Sequence, residues 1–331
     1  MNRPWLAAAL VIASSVVLSA ATIKEIKLAD AYDDVNTLKT PVVDNAGRPG
    51  VVITLTAAYD RRAKFVRRTG SFMTKGPEYD LDQKVDVAAL LNESFLKEAA
   101  AMGLAPSPAQ APWRISGTLQ QAYLESRQVY MGATLFYGFL EVNLQITDPA
   151  GQTSARRMRT HSYSGAYNAG LGRRDEAEAS AARLIVEGAQ EMMARLNRDL
   201  FKAPPHASMK ALLDRVRSAG VEKGAADLWA VGLSGLPEAG PALIGMLPDE
   251  PREFLRARLI NALGVLGARD AVAVLGGRYA AEDEDPRFYT LKALDYIGGP
   301  DAEQVINTSG AKDEDGGPRR LAGRIAGKPV R

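Results

Sequence analysis

The chain has 331 residues, enough for two domains, and its 46% hydrophobic and 24% charged residues are those of a folded protein rather than a disordered or fibrous one. A net charge of +2 gives no global electrostatic argument for nucleic acid, and none is expected as a partner. The absence of cysteine excludes disulfides, thiolate metal sites and cysteine nucleophiles.

At the N-terminus, Arg3 precedes an apolar run from Trp5 to Ala13, broken by Ser14-Ser15 and resumed at Val16-Val17-Leu18. Ser19-Ala20-Ala21 then supplies small residues for cleavage, so residues 1–21 are expected to be a secretory signal. The run is shorter than the roughly 20 residues of a membrane-spanning helix. Leu18-Ser19-Ala20 resembles the start of a bacterial lipobox, but the fourth position is Ala21 and no thiol is present to carry a lipid. The expected location is therefore the periplasm or the periphery of the outer membrane, without a lipid anchor.

From 22 to about 50 the chain mixes short apolar pieces with turn residues, ending in the loop Asp44 to Gly50. Val51, Ile53, Leu55, Ala57 and Tyr59 alternate as in a strand. Residues 86–103 read as a helix, with Asp86 as its cap, Gly103 at its end, and Val87, Leu91, Phe95 and Met102 on one face. Three prolines between 105 and 112 stop it. Strands follow from Ile115 toward Tyr123, over Leu140–Thr147, where apolar and polar residues alternate, and over about 153–164 after the turn at Asp148–Gly151. A second helix spans about 175–200, with Asp175 and Glu178 at capping-box spacing and Leu184, Gly188, Met192 and Leu196 as its stripe. Strands grouped together and flanked by helices predict an α+β domain over 22–202, a mainly antiparallel sheet with two helices on one face.

Lys202-Ala203-Pro204-Pro205 marks a linker at 203–207, and residues 208–310 are helical in pattern. Within them Ala262-Leu263, Leu266-Gly267, Asp270-Ala271 and Val274-Leu275 recur as Ala293-Leu294, Ile297-Gly298, Asp301-Ala302 and Val305-Ile306, always 31 residues later. A repeat of that length is a stacking pair of helices, so this part is expected to be a short all-α solenoid. Leu263, Leu266, Leu294 and Ile297 are expected to bury between layers. Gly267 and Gly298 are expected to end a helix in the left-handed conformation, and Asp270 and Asp301 to cap the next one. Residues 311–331 carry five cations after position 317 and no acid there, and read as a polar, fraying tail.

At the repeated residues the segment from about 225 to 308 resembles the HEAT-like repeats of the phycobilisome-lyase type, which implies a curved binding scaffold. The strand over 51–59, the helix ending at Gly103, the strands at Ile115–Leu119 and Leu140–Ile146 and the helix at 175–200 together resemble the YajG group of bacterial envelope lipoproteins. That resemblance implies fold and compartment rather than an activity.

No phosphate-binding loop, nucleophile elbow or HExxH motif occurs, and neither His161 nor His206 has a partner at metal-ligand spacing. No enzyme activity, cofactor or metal is expected. Asp283-Glu284-Asp285 and Asp313-Glu314-Asp315 read as solvated loop charge, and Gly170–Arg174 as a flexible loop. The aromatics Tyr123, Tyr130, Phe136, Tyr137 and Phe139 are expected to pack a hairpin on its sheet. The reading is an exported, non-enzymatic scaffold that binds another envelope protein, with Arg278 and Gln304 on the second helices as its partner surface. The alternative is a binding module for an anionic lipid or glycan, using Arg61, Arg62, Lys64, Arg67 and Arg68.

Overall fold

A computed structural model describes residues 21–32, 36–44, 51–57, 66–68, 79–82, 84–104, 113–128, 133–167 and 174–327. The expected signal up to residue 20, the cations Arg61, Arg62 and Lys64, Tyr130 and the glycine loop up to 173 lie outside the described residues.

Four short strands, β1 (Ala21–Ile23), β2 (Val51–Ala57), β3 (Val66–Arg68) and β4 (Tyr79–Leu81), precede the helix α1 (Val87–Ala101). Three long strands follow, β5 (Trp113–Gln128), β6 (Ala133–Thr147) and β7 (Thr153–Tyr167), and then the helix α2 (Arg174–Leu196). The main sheet runs β2-β5-β6-β7, with β3 also beside β5. Its β5–β6 and β6–β7 pairs are antiparallel, whereas β2 and β3 join β5 in parallel. The architecture is therefore α+β followed by a helical region, as the order of patterns predicts.

Asp86 caps α1 through Oδ1, which accepts from the backbone N–H of Ala88 and Ala89 at 3.1 Å each. Val87, Leu91, Phe95 and Met102 are all buried. Gly103 follows at φ 93°, where a Cβ would meet the Val43 carbonyl oxygen at 2.5 Å. That close approach requires glycine.

Two expectations about the sheet and α2 change. The sheet is covered on both faces near its middle: in β6, Gly138 lies against Leu184 of α2, while Tyr137 packs on Phe288 on the other side. Glu141, expected on a wet face, is consequently buried and held by Arg157 and Arg159. α2 likewise buries more than one stripe. Ala181, Ala182, Leu184, Ile185, Val186, Ala189, Gln190, Glu191, Met192 and Met193 are all fully buried. A stripe with Glu176, Arg183 and Glu187 stays partly exposed; a helix buried over most of its circumference is largely interior, and α2 is the axis between the sheet and the helical layers.

A π turn over Asn197–Phe201 ends α2, with Lys202 left-handed at φ 55°. The segment 203–207 is tied down rather than free. Asn197 exchanges two side-chain hydrogen bonds with the Ala203 backbone, Pro205 bridges to Val43, and the His206 N–H donates to the Val42 carbonyl.

The helical region comprises α3 (Met209–Lys223), α4 (Ala225–Ser234), α5 (Ala239–Met246), α6 (Glu253–Leu266), α7 (Ala271–Arg278), α8 (Glu284–Ile297), α9 (Pro300–Thr308) and α10 (Gly316–Ile325). α4, α6 and α8 stack through small residues: a Cβ on Gly232 would meet Ala262 at 3.0 Å, and one on Gly264 would lie 2.5 Å from Ala293 Cα. α7 and α9 pack together on the outside, where Gly276 faces Val305. Leu263 and Leu294 are fully buried, and Leu266 and Ile297 partly so. Gly267 is left-handed (φ 69°, ψ 35°) and ends α6; Gly298 has φ 70° but ψ −176°, and with Gly299 at φ 95° it makes a longer turn.

The aspartates do not cap as expected. Asp270 precedes α7 with helical backbone angles and no side-chain capping bond. α9 starts at Pro300, so Asp301 lies inside its first turn, where its charge favours the helix dipole instead. The expected tail is also different. Gly316–Ile325 is a helix with Leu321 and Ala322 buried, and its Arg320 and Arg324 both pair with buried Glu125 of β5.

Candidate functional site

The junction of sheet, α2 and helical layers is built on one carboxylate. Glu191 of α2 is 0% exposed. Its Oε1 accepts from Lys292 Nζ at 2.7 Å and Asn261 Nδ2 at 3.1 Å; its Oε2 accepts from the hydroxyls of Thr160 at 2.9 Å and Tyr296 at 2.8 Å. β7, α6 and α8 thus all donate to one side chain of α2. Lys292 is equally buried, so charge and counter-charge meet with their hydrogen bonds made. Beside it, Gln190 donates to Glu98 Oε2 at 2.7 Å and accepts from Trp229 Nε1 at 3.0 Å, joining α1 to α4 through α2.

A second cluster lies under α10. Asp295 contacts His161 Nε2 at 3.1 Å and Arg159 at 3.3 Å. Burial pushes the His161 imidazole below its ordinary pKa against the pull of Asp295, and Nδ1 has no hydrogen-bond partner. Burial opposes ionisation of Asp295, but His161, Arg159 and Arg195 together outweigh it and hold the carboxyl below its usual range.

One helical turn before Glu191, α2 opens onto a cleft of about 360 Å³ between β7, α2, α4, α6 and the start of α8. This falls in the range of small-ligand pockets, roughly 300–1,000 Å³. Glu187 and Arg183 of α2 line one side, 3.9 Å apart, with Tyr163 of β7 and Asp285 of α8 close by. α4 contributes Leu228, Trp229 and Leu233, and α6 contributes Phe254, Arg258, Asn261 and Val265.

Burial raises the Glu187 carboxyl from 4.5 to about 6, against the pull of Arg183 and Lys292. It also raises Asp285 from 3.8 to about 6, helped by the neighbouring acids Glu253, Glu284 and Asp283 and opposed by the Tyr163 hydroxyl. Burial, together with Asp285, drives the Tyr163 hydroxyl far above its ordinary value, so it acts as a neutral donor. Arg258 is partly exposed and makes no hydrogen bond or ion pair among the described residues. The cleft can therefore offer a cation, two carboxyls that resist ionisation, and apolar walls.

The sequence-derived sites do not converge here. Arg67 and Arg68 belong to β3, opposite Glu125 and Ser126 of β5 in register. Arg278 is half-committed to Glu282 at 2.9 Å, whereas Gln304 is exposed in a shallow groove between α7 and α9 that includes Asp270, Gly276, Asp301 and Val305. The acidic runs are solvated only in part, at Asp283 and Glu314. Glu284 and Asp285 open α8, with Glu284 accepting from the Tyr137 hydroxyl at 2.9 Å. Asp313 is buried and accepts from the Tyr279 hydroxyl at 2.6 Å, while Arg287 pairs with both Asp313 and Asp315. The aromatics pack as expected: Tyr137 and Phe139 lie against Tyr163, Phe288, Tyr123 and His161.

Glu187, Arg258 and Asn261 went unnoticed in the sequence, and Asp285 was read as solvated charge, because the cleft joins residues of three different helices. The one signal available was on α6, where Phe254, Arg258, Asn261 and Val265 share a face at helical spacing. Among the described residues no group of three or more His, Asp or Glu side chains is placed to hold a metal ion, and no helix is long and apolar enough to cross a membrane.

No protein-family model and no curated protein sequence matches the chain. Solved structures similar to it include a Xanthomonas campestris protein of the DUF330 family, at 13% identity over 47% of this chain and 90% of that one, with a TM-score of 0.32. They also include a minor lipoprotein from Acinetobacter baumannii, at 12% identity over 50% of this chain and 98% of that one, with a TM-score of 0.27. Each likeness extends over about half of this chain, and neither carries an argument about its activity.

Proposed function

We propose that this chain is an exported, non-enzymatic protein of the bacterial envelope that binds another envelope protein through its helical part. The observation that carries the reading is Phe254. It is 53% exposed, the one large hydrophobic side chain so exposed among the described residues, and it lines the cleft. An aromatic left in water beside a concave, mixed-polarity site suits an anchor for a partner. The N-terminal export pattern supports the compartment, and the resemblance of the 31-residue repeat to HEAT-like scaffolds supports a binding role over a catalytic one. The network around Glu191 supports it too, because it fixes α6 and α8, and with them the cleft walls, against the sheet.

The test is capture of one identified envelope partner by the full chain. Phe254→Asp should abolish capture while leaving the thermal transition in place, since the side chain is exposed. The double variant Arg61→Glu, Arg67→Glu should capture normally. The reverse pattern, with salt-sensitive retention of the wild-type chain on anionic vesicles, would overturn this reading and favour the anionic lipid or glycan module.

A further inference from the structure

On the preceding reading, we propose that the cleft captures the C-terminal end of the partner's polypeptide, with Arg258 holding the terminal carboxylate and Asn261 accepting an amide N–H. Three observations support this.

The first is Arg258 itself. Most arginines around it are engaged, Arg252 with Glu222 and Glu250, Arg256 with Glu282 and Asp283, Arg278 with Glu282, and Arg287 with Asp313 and Asp315, whereas Arg269, unpaired among the described residues, is exposed on the outer groove. Arg258 faces the cleft without such a partner among the described residues. A guanidinium fork matches a carboxylate bidentately.

The second is Asn261. It lines the cleft, is 5% exposed, and donates its Nδ2 to Glu191. The carboxylate fixes the amide's orientation, because the flipped form would set oxygen against oxygen. Oδ1 is thereby an acceptor, and it has no hydrogen-bond partner. A buried acceptor without a partner is costly, and a peptide N–H is the donor that would satisfy it.

The third is the order of groups along α6. Phe254, Arg258, Asn261 and Val265 succeed one another at i, i+4, i+7 and i+11 on one face. This gives an apolar contact, a cation, an acceptor and a second apolar contact in a row. Leu228, Leu233 and Trp229 of α4 form the opposite wall. A chain end carries a carboxylate, a backbone N–H and an apolar side chain with matching variety. A simple cation would fit worse, because Arg258 would repel it. A simple anion would leave Asn261 unserved.

The test is calorimetric titration of the full chain with N-acetyl tripeptides ending in leucine, phenylalanine or valine, each as free acid and as C-terminal amide. At least one free acid should bind, and its amide should bind ten-fold more weakly or worse. Arg258→Gln should weaken the free acid by a similar factor with an unchanged thermal midpoint, and Arg258→Lys should restore part of it. Equal binding of acid and amide overturns the proposal, as does wild-type affinity in Arg258→Gln, or no binding of any free acid to the wild-type chain. Free leucine or phenylalanine binding as tightly as the tripeptides overturns it as well, since the occupant would then be a small zwitterion. If the peptides fail while Phe254→Asp still abolishes partner capture, only the chain-end assignment falls. If Phe254→Asp captures normally, the broader reading falls.

Discussion

Glu187 and Glu191 are one turn apart on α2 and meet opposite fates. Glu191 is sealed inside, with Lys292, Asn261, Thr160 and Tyr296 saturating its oxygens. Glu187 borders the cleft with a looser pair to Arg183 at 3.9 Å and a 3.4 Å contact to Asn36, and its carboxyl is pushed up to about 6. The same side chain is thus a structural pin in one place and a poised, incompletely served group in the other. What distinguishes them is the supply of donors, not burial alone. Burial raises the Glu187 carboxyl, and its two long contacts do not offset that. The pin locks the helical layers to the sheet beside the cleft.

The contrast can be broken most severely at Lys292. Replacing it by alanine leaves Glu191 buried without its cation, and breaking such a pair costs about 3–5 kcal/mol. Urea denaturation at pH 7 should show that loss. The double variant Glu191→Leu, Lys292→Met should be more stable than Lys292→Ala, because no lone charge remains inside. A Lys292→Ala protein as stable as the wild type would mean that the network is not the pin.

A smaller change of opposite sign is expected at Glu187. Its folded pKa is raised, so it favours folding below the ordinary value of 4.5, and that contribution is lost as pH rises through about 6. Glu187→Gln never ionises and removes the loss. The variant should exceed the wild type by about 2 kcal/mol at pH 7.5, at 1.36 kcal/mol per pKa unit, with the gap closing toward pH 4. Paired melts at the two pH values check this. A gap that is constant with pH, or reversed at pH 7.5, would show that burial does not raise the Glu187 carboxyl.

The smallest effect is expected on the outer groove. Gln304 is exposed between α7 and α9, and Gln304→Ala should shift stability by less than about 0.5 kcal/mol. Partner capture by this variant compares the two surfaces directly. Normal capture leaves the cleft as the binding face, and loss of capture transfers that role to the second helices.

The α+β part, α1 with its Asp86 cap, the three long strands and the paired helices at 31-residue spacing were legible in the sequence, because period and capping are local properties of the chain. Gly267 was legible for the same reason, since one residue in the left-handed region ends a helix whatever surrounds it. Asp270 misled because it stands at the cap position with helical backbone angles and no side-chain bond, and Asp301 because the Gly298-Gly299 turn and Pro300 moved the helix start before it. Burial around most of α2, docking of α10 on the sheet and the roles of Asp285 and Asp313 were decided only by tertiary structure. A side chain's charge is written in the sequence, but its solvation depends on which distant segments close over it. Glu191 and Lys292 are 101 residues apart and meet at 2.7 Å. No periodicity encodes that meeting; it exists because the stacked α6–α8 layer packs against α2, which the sheet also covers.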